Sequence, residues 1–327
     1  MMPNRRSFIG VGAAGLTGLA CRQELWAQSY PTRPVRVIVA SAAGGPPDMI
    51  TRIVMQHLSE SLGQQFFVEN IPTGAGNVGA ATAAKTPADG YTILAPTSSF
   101  VVNPGLYAKL RYDPVRDFTP VTLVAVAQQV IVVHPSFPAN TLAEFIALVK
   151  ANPGRYSYAS PGTGTTGELA AELLKLSFGL DLVRVPFNGG APAIASTIGG
   201  HTPVSLVALP SAAANIREGK LRALAVTGGR RAPEFPYVPT LAEAGIPDQE
   251  SYFWQCVLVP AGTPQDIVDL LYREIARTVA RQDVKDRLAE IGFEPVATPP
   301  TVFAGQLKTE IARWSKVIRD ANIKKIE

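Results

Sequence analysis

Between residues 35 and 62 the chain changes from a β-branched run to an apolar pattern with helical spacing. Residues 35–39 read VRVIV, which is typical of a strand buried in a sheet. From residue 49 to residue 62, apolar side chains recur every three or four positions, so one face of a helix can pack on that sheet. Gly44 and Gly45 allow the turn between the two. The pattern predicts a strand, a glycine turn and an amphipathic helix.

The same pattern recurs along the chain, which predicts an α/β fold with mainly parallel strands. Asn140 is the predicted N-cap of one of the later helices. Parallel strands place the loops at their carboxyl ends on one edge of a sheet, so we expect these loops to converge on one cleft. Further strands are predicted at 66–70, 91–95, 121–125, 130–133, 156–160, 182–187, 204–209, 221–226 and 251–259, and helices at 78–85, 142–150, 168–178, 240–244, 264–281, 284–291 and 302–321.

The loops after the predicted strands are rich in glycine and hydroxyl side chains. Such a loop offers free backbone N–H groups and the positive end of a helix dipole, and small anions bind there. We therefore predict a small-anion site built by several loops. Its candidate residues are Ala43, Gly44, Gly45, Asp48, Asn77, Thr97, Ser98, Ser99, Ser160, Thr163, Gly164, Thr165, Thr166, Phe187, Asn188, Gly189 and Ala191.

Two features of the first loop bear on this prediction. Asp48 could contact the ligand, or it could cap its helix and complement the helix dipole, and the sequence favours neither role. Pro46 and Pro47 lack N–H groups, so the first helix offers fewer donors to an anion. Binding should then depend more on Gly44, Gly45 and the threonine-rich loop.

A dinucleotide site is the alternative to an anion site, because Gly162, Gly164 and Gly167 form a G-x-G-x-x-G pattern between a strand and a helix. Together with a twin-arginine export signal, which suits proteins that fold around a cofactor before export, this pattern would indicate an exported oxidoreductase that binds NAD(P). However, Asp181 precedes the next predicted strand instead of ending it, where a ribose-binding acid belongs. We therefore predict no cofactor.

The remaining chemistry-bearing side chains do not suggest an enzyme. His57, His134 and His201 show neither metal-ligand spacing nor a nearby nucleophile motif, so we predict no catalytic residue and no metal. Cys256 lies in an apolar stretch and is expected to be buried. Trp254 is interpreted as a core residue, although it could also wall the cleft.

Composition narrows the class of protein further. The chain has 327 residues, 46% hydrophobic and 17% charged, so it can bury a large core, and its length suggests either two domains or one large one. The formal net charge is only +4, and Lys and Arg do not cluster with interleaved aromatic residues. We therefore expect no nucleic-acid partner.

The N-terminus resembles an export signal. Arg5 and Arg6 precede a Gly/Ala-rich apolar stretch over 10–20, which is the layout of a twin-arginine signal peptide. Cleavage after Ala27 is expected, which would make residues 1–27 the signal and place the protein in the periplasm. A partial lipobox that ends at Cys21 is the alternative, with a lipid anchor as its consequence.

From residue 30 to the C-terminus the chain resembles the Bug family, the periplasmic solute-binding receptors of tripartite tricarboxylate transporters. The segments that carry the resemblance are YPTRPVR at 30–36, GG at 44–45 with Asp48, VEN at 68–70, ADGYT at 88–92, NP at 103–104, DP at 113–114, DF at 117–118, YAS at 158–160, PFNG at 186–189 and GKLRALAVT at 219–227.

The resemblance implies a fold of the type II periplasmic binding proteins, with two α/β lobes joined by a hinge. It also implies that a small carboxylate is captured between the lobes, by residues 43–48 and 160–166, and delivered to membrane permease subunits. We place one lobe at 28–126 plus 251–327 and the other at 127–250, and we expect a monomer. A receptor that feeds a membrane sensor remains an alternative.

The chain departs from the family pattern in two further places. The loop after Asn70 reads IPTG and lacks the basic residue common there. Val207 occupies a position where relatives often have an aspartate or another polar residue. The end of the ligand distant from its bound carboxylate is therefore expected to be apolar.

Overall fold

The computed structural model describes residues 30–327. The twin-arginine stretch, the predicted cleavage site and Cys21 lie outside these residues. Within them, the strands are β1 (Val35–Val39), β2 (Phe66–Asn70), β3 (Thr92–Ala95), β4 (Phe118–Val133), β5 (Tyr156–Ser160), β6 (Leu182–Pro186), β7 (Val204–Ala208), β8 (Arg222–Val226), β9 (Tyr252–Pro260) and β10 (Glu294–Pro295).

The helices of the described residues begin with the predicted amphipathic one. They are α1 (Pro46–Leu62), α2 (Asn77–Ala83), α3 (Ser99–Leu106), α4 (Leu142–Ala151), α5 (Thr166–Phe178), α6 (Gly190–Ile198), α7 (Leu209–Arg217), α8 (Gln265–Ala280), α9 (Gln282–Glu290) and α10 (Pro300–Asp320). None of those found over 30–327 is long and apolar enough to span a membrane.

Strand β4 connects two groups of strands. Its first part pairs with β9 and with the short β10, while residues 129–133 pair with β7 and β8. The two apolar segments predicted at 121–125 and 130–133 are therefore parts of one strand, which continues through Gln128 and Gln129. Strands β2, β1, β3 and β9 lie on one side, and β7, β5 and β6 complete the other group.

The register of these pairs directs the carboxyl ends of both groups toward the middle of β4. Strand β3 is parallel to β1 and antiparallel to β9, which is itself antiparallel to β4. Strand β7 ends at Ala208 opposite Gln129, and β5 runs parallel to β7. The loops that leave β1 and β3 therefore point toward the loops that leave β5 and β7.

Apolar side chains fill the two faces of each group of strands. Helices α1 and α8 pack on one face of the first group, and α10 packs on the other. Trp254 is 5% exposed and packs edge-on against Phe303 at 6.0 Å between ring centroids, which confirms its core role. Cys256 is also fully buried, as predicted.

Local predictions were wrong at a few positions. A helix was predicted at 240–244, but residues 241–245 form turns. Neither α7 nor α3, which begins where a hydroxyl-rich loop was expected, was predicted. The N-cap of α4 is Thr141, whose hydroxyl accepts the N–H of Glu144, and not Asn140. The backbone N–H of Asn140 instead donates to the Glu144 carboxylate at 2.7 Å, which adds a second contact at this helix end.

Candidate functional site

The loops at the two carboxyl edges touch each other. Ser99 Oγ, at the start of α3, donates to the carbonyl oxygen of Gly164 at 3.3 Å. The hydroxyls of Ser98 and Thr166 lie 3.2 Å apart, and Gln129 Nε2 donates to the same Thr166 hydroxyl at 3.0 Å. The predicted residues after β3 and after β5 are thus brought together at the point where β4 passes between the strand groups.

Asp48 is part of the internal structure of the first loop. Its Oδ2 accepts the N–H of Gly44 at 2.9 Å, Oδ1 accepts Asn70 Nδ2 at 2.9 Å, and both oxygens accept Arg52 Nε at 3.0 Å. The side chain is only 3% exposed. Burial acts to raise the pKa of Asp48, but the hydrogen bonds from Arg52, Gly44 and Asn70 lower it overall. These contacts support the capping interpretation of Asp48.

The same contacts leave few donors at the start of α1. The N–H of Gly44 is used by Asp48, and Pro46 and Pro47 have none. The N–H groups of Gly45 and Asp48 have no partner among residues 30–327. Ala43 and Gly44 are exposed. The N–H groups of Ala42 and Ala43 likewise have no partner among residues 30–327, so the first loop can offer the N–H groups of Ala42, Ala43, Gly45 and Asp48 to an anion.

The loop after β5 repeats this arrangement. Glu168, in the first turn of α5, accepts the N–H of Gly164 at 2.7 Å through Oε2. Its Oε1 lies 2.8 Å from Arg184 Nε, on β6. The Glu168 side chain is 1% exposed, and this burial raises its pKa even though the Arg184 guanidinium opposes the effect. The buried carboxyl group of Glu168 thus binds the loop at the N-terminus of α5 from the side that faces the protein interior.

The threonines of this loop have different roles. Thr165 is the N-cap of α5, since its hydroxyl accepts the N–H of Glu168 at 3.3 Å and donates to the carbonyl of Gly162 at 2.8 Å. Thr166 is buried. Thr163 is exposed, and its oxygen accepts Arg184 Nη2 at 2.6 Å. Of the three, only Thr163 presents its hydroxyl at the surface of the loop.

The glycine-rich pattern at 162–167 is explained by packing. A Cβ on Gly164 would lie 2.6 Å from Leu106 Cδ2, and one on Gly167 would lie 3.0 Å from the Leu206 carbonyl oxygen. These contacts favour a close helix-to-strand turn over a dinucleotide site.

The remaining predicted residues divide into internal and exposed ones. Asn77 accepts hydrogen bonds from Tyr112 at 2.8 Å and from Asn103 at 2.7 Å, so its amide stabilises the interior. The loop after β6 is tied to the loop after β5, because the N–H of Gly189 donates to the Pro161 carbonyl at 2.9 Å. Ser160 and Thr97 are buried, Phe187 and Gly189 are half-buried, and Asn188 and Ala191 are exposed.

Val207 does not support the expectation of an apolar end to the site. Its side chain is fully buried in a core cluster of the second group of strands. The aliphatic character of Val207 therefore serves packing in this conformation.

Three polar residues of this region were missed by the sequence analysis: Gln129, Glu168 and Arg184. Glu168 comes three residues after the N-cap Thr165, and that capping-box spacing could have identified it. Arg184 had no comparable signal, because its contact with Glu168 joins a strand to a separate helix.

Three cavities of the described residues lie away from the two glycine loops. They have volumes of about 540, 680 and 390 Å³ and are lined by other residues. Because Ala43, Gly44 and Thr163 are exposed, a molecule bound at the loops would remain in contact with solvent in this conformation.

Comparison with known proteins identifies the family. Residues 50–323 match the model of the tripartite tricarboxylate transporter family receptor, TctC. BugT of Bordetella pertussis is 34% identical over 300 residues, which cover 91% of this chain and 92% of that protein. A UPF0065 protein encoded in the tcbD-tcbE intergenic region of Pseudomonas sp. strain P51 is 36% identical over 315 residues, which cover 96% of this chain and 93% of that protein.

Solved structures agree with this assignment. An R. palustris protein solved with adipate superposes with a TM-score of 0.79 at 35% identity, covering 91% of this chain and 100% of that one. MatC from Rhodopseudomonas palustris, solved with bound malate, gives a TM-score of 0.75 at 31% identity, covering 88% and 100% of the two chains. The periplasmic binding protein BugD gives 0.76 at 30% identity, covering 91% and 100%. The chain therefore has the periplasmic binding protein fold and belongs to the TctC family of tripartite tricarboxylate transporter receptors.

Proposed function

We propose that the protein captures a small carboxylate between its two lobes in the periplasm and delivers it to the membrane subunits of a tripartite tricarboxylate-type transporter. The observation that carries the proposal is the meeting of two carboxyl strand edges, where loops rich in N–H and O–H donors face each other. The contacts of Ser99 with Gly164 and of Ser98 with Thr166 join these edges.

The free donors of these loops suit a carboxylate. The unpartnered N–H groups of Gly45 and Asp48 lie at the N-terminus of α1, which carries a partial positive charge. Thr163 adds an exposed hydroxyl on the opposite loop. Two relatives were solved with adipate and with malate, which supports the carboxylate class.

The proposed lobes correspond to 28–126 with 251–327 and to 127–250. Strands β4 and β9 run through the boundary near Gln128 and Tyr252, where they pair with each other. Bending there would open and close the two loops around the ligand without disrupting either core. We propose that the protein works as a monomer, with no chemical step.

A thermal-shift screen of mono- and dicarboxylic acids against their uncharged amides tests the binding step. A ligand at 100 times its dissociation constant stabilises the folded protein by about 2.7 kcal/mol. We expect acids to raise the melting temperature and the matched amides to leave it unchanged. Stabilisation by amides alone would contradict the carboxylate site.

Delivery to a transporter requires a separate test in cells. Deletion of the gene should abolish uptake of the radiolabelled acid that the purified protein binds, and plasmid-borne expression should restore it. If uptake continues at the wild-type rate while a transcriptional response to the acid is lost, the protein serves a membrane sensor instead.

A further inference from the structure

We infer that Arg184 is a charged recognition residue of the cleft, which binds a ligand carboxylate beside Thr163, and that Glu168 is the positioning residue that holds it. The inference rests on the proposed function, because it assigns a residue to the same carboxylate site. Neither side chain was among the candidates derived from the sequence.

The contacts of Arg184 hold the guanidinium against the loop. Its Nε lies 2.8 Å from the buried Oε1 of Glu168, and its Nη2 donates to Thr163 Oγ1 at 2.6 Å. Glu168 is itself fixed by the N–H of Gly164 at 2.7 Å. The guanidinium therefore has a defined position relative to the backbone of residues 163–164.

Hydrogen-bond direction at Thr163 makes its hydroxyl a donor for a ligand. An arginine has only donor groups, so Thr163 Oγ1 must accept the bond from Arg184. The hydroxyl hydrogen of Thr163 is then free to point away from Arg184, and it has no acceptor among residues 30–327. Because Thr163 is exposed, this hydrogen can be donated to an anion at the surface of the loop.

The guanidinium of Arg184 also has N–H groups that no described residue accepts. Of its five N–H groups, one faces Glu168 and one binds Thr163, and no other protein acceptor contacts its guanidinium within the described range. Its side chain is 30% exposed. A planar guanidinium with free N–H groups matches the two oxygens of a carboxylate. Among the described residues, no other cation hydrogen-bonds to a threonine of this loop.

The competing explanation makes Arg184 merely the counter-ion of the buried Glu168. The two roles predict different results when both members of the pair are made neutral together. Neutralising a counter-ion and its partner leaves no unpaired charge, so ligand binding should be unaffected if Arg184 does not touch the ligand.

The test therefore uses the double variant Glu168→Gln/Arg184→Gln. Its matched control is Glu172→Gln/Lys175→Gln, which neutralises the ion pair of 3.0 Å one turn further along α5. Isothermal titration calorimetry would measure binding of succinate, glutarate, adipate and malate to the wild-type protein and both variants. Urea unfolding would show that both variants are folded.

We expect the tightest-binding of these acids to bind Glu168→Gln/Arg184→Gln about 30-fold more weakly than the wild type, because a charge-assisted hydrogen bond is lost. The affinity of the control variant for the same acid should stay within about two-fold of that of the wild type. Wild-type affinity in the first variant would overturn the inference and leave the proposed function intact. If none of the acids binds the wild-type protein, the proposed function and this inference both fail.

The single variant Arg184→Lys supplies an independent readout. Lysine keeps the charge but cannot bind two carboxylate oxygens with a planar fork. We expect Arg184→Lys to bind the acid more weakly than the wild type does, but more tightly than Glu168→Gln/Arg184→Gln does. Complete retention of affinity in Arg184→Lys would show that only charge, and not the guanidinium geometry, matters and would contradict bidentate recognition.

Discussion

Asp48 and Glu168 occupy equivalent positions in the two halves of the molecule. Each lies in the first turn of the helix after a glycine loop, and each accepts the N–H of the glycine four residues before it, Gly44 at 2.9 Å and Gly164 at 2.7 Å. Each also faces an arginine, Arg52 for Asp48 and Arg184 for Glu168. The two loops are thus each held by a buried acidic side chain at the start of the following helix.

Replacing Asp48 with asparagine should destabilise the protein by about 1–3 kcal/mol, since several charge-assisted hydrogen bonds are lost or weakened around a buried group. Urea unfolding at pH 7 measures the change. The control is Asp320→Asn, which removes an exposed i,i+4 pair with Lys316 and should cost about 0.5 kcal/mol or less. Equal effects of the two substitutions would contradict a structural role for Asp48.

The pH dependence of stability should also report on Asp48. Its pKa in the folded state lies below its ordinary value, despite burial, because of Arg52, Gly44 and Asn70. The ionised form is therefore favoured by folding, and its contribution is complete above the unfolded-state pKa and lost as pH falls through the folded-state pKa.

Urea unfolding from pH 6 down to pH 3 should accordingly show a steeper loss of the free energy of unfolding in the wild-type protein than in Asp48→Asn. Glu168, whose pKa is raised by burial, acts in the opposite sense, so its contribution improves as pH falls through its folded-state pKa. Parallel pH profiles for the wild type and Asp48→Asn would disprove the assignment.

Gly164 and Gly44 provide a matched pair for testing how closely α3 packs against the loop after β5. Both have positive φ angles, 80° and 78°, so alanine should cost about 1–2 kcal/mol of backbone strain at either site. A Cβ at Gly164 would also lie 2.6 Å from Leu106 Cδ2, whereas one at Gly44 meets nothing within 4 Å.

We therefore expect Gly164→Ala to lower the free energy of unfolding more than Gly44→Ala, by an additional amount on the order of 1 kcal/mol. Chemical denaturation of both variants gives this difference directly. If the two variants lose the same stability, α3 does not press against the loop after β5 in solution.

Pro46 limits the donors of α1, so Pro46→Ala should strengthen binding of a carboxylate. The substitution adds an N–H group at the start of the helix, and a hydrogen bond to a charged acceptor contributes about 1.5 kcal/mol, or roughly ten-fold in affinity. Calorimetry with the best acid from the screen measures the gain. Pro300→Ala, at the start of α10, is the control and should not change affinity. Identical affinities for Pro46→Ala and the wild type would exclude the start of α1 from the anion site.

Sequence patterns alone determined most of the architecture. Periods of two and of three to four residues are local, because they arise from strand and helix geometry. They placed most strands and helices, including the buried run at 35–39, but not α3, α7 or the short β10. Glycine and hydroxyl residues after the strands likewise indicated which loops meet, since parallel strands end on one edge. The family resemblance is confirmed by the match over residues 50–323.

Only the tertiary structure decided the roles of individual side chains. It assigned Asp48 and Thr165 to capping and Asn77 to the interior, and it brought Arg184 to Thr163 from a separate strand. Such partners cannot be read from periodicity, because hydrogen bonds and ion pairs depend on distances of about 3 Å between residues far apart in the chain. The sequence therefore determined where the loops are, and packing determined which of their polar groups form hydrogen bonds within the protein.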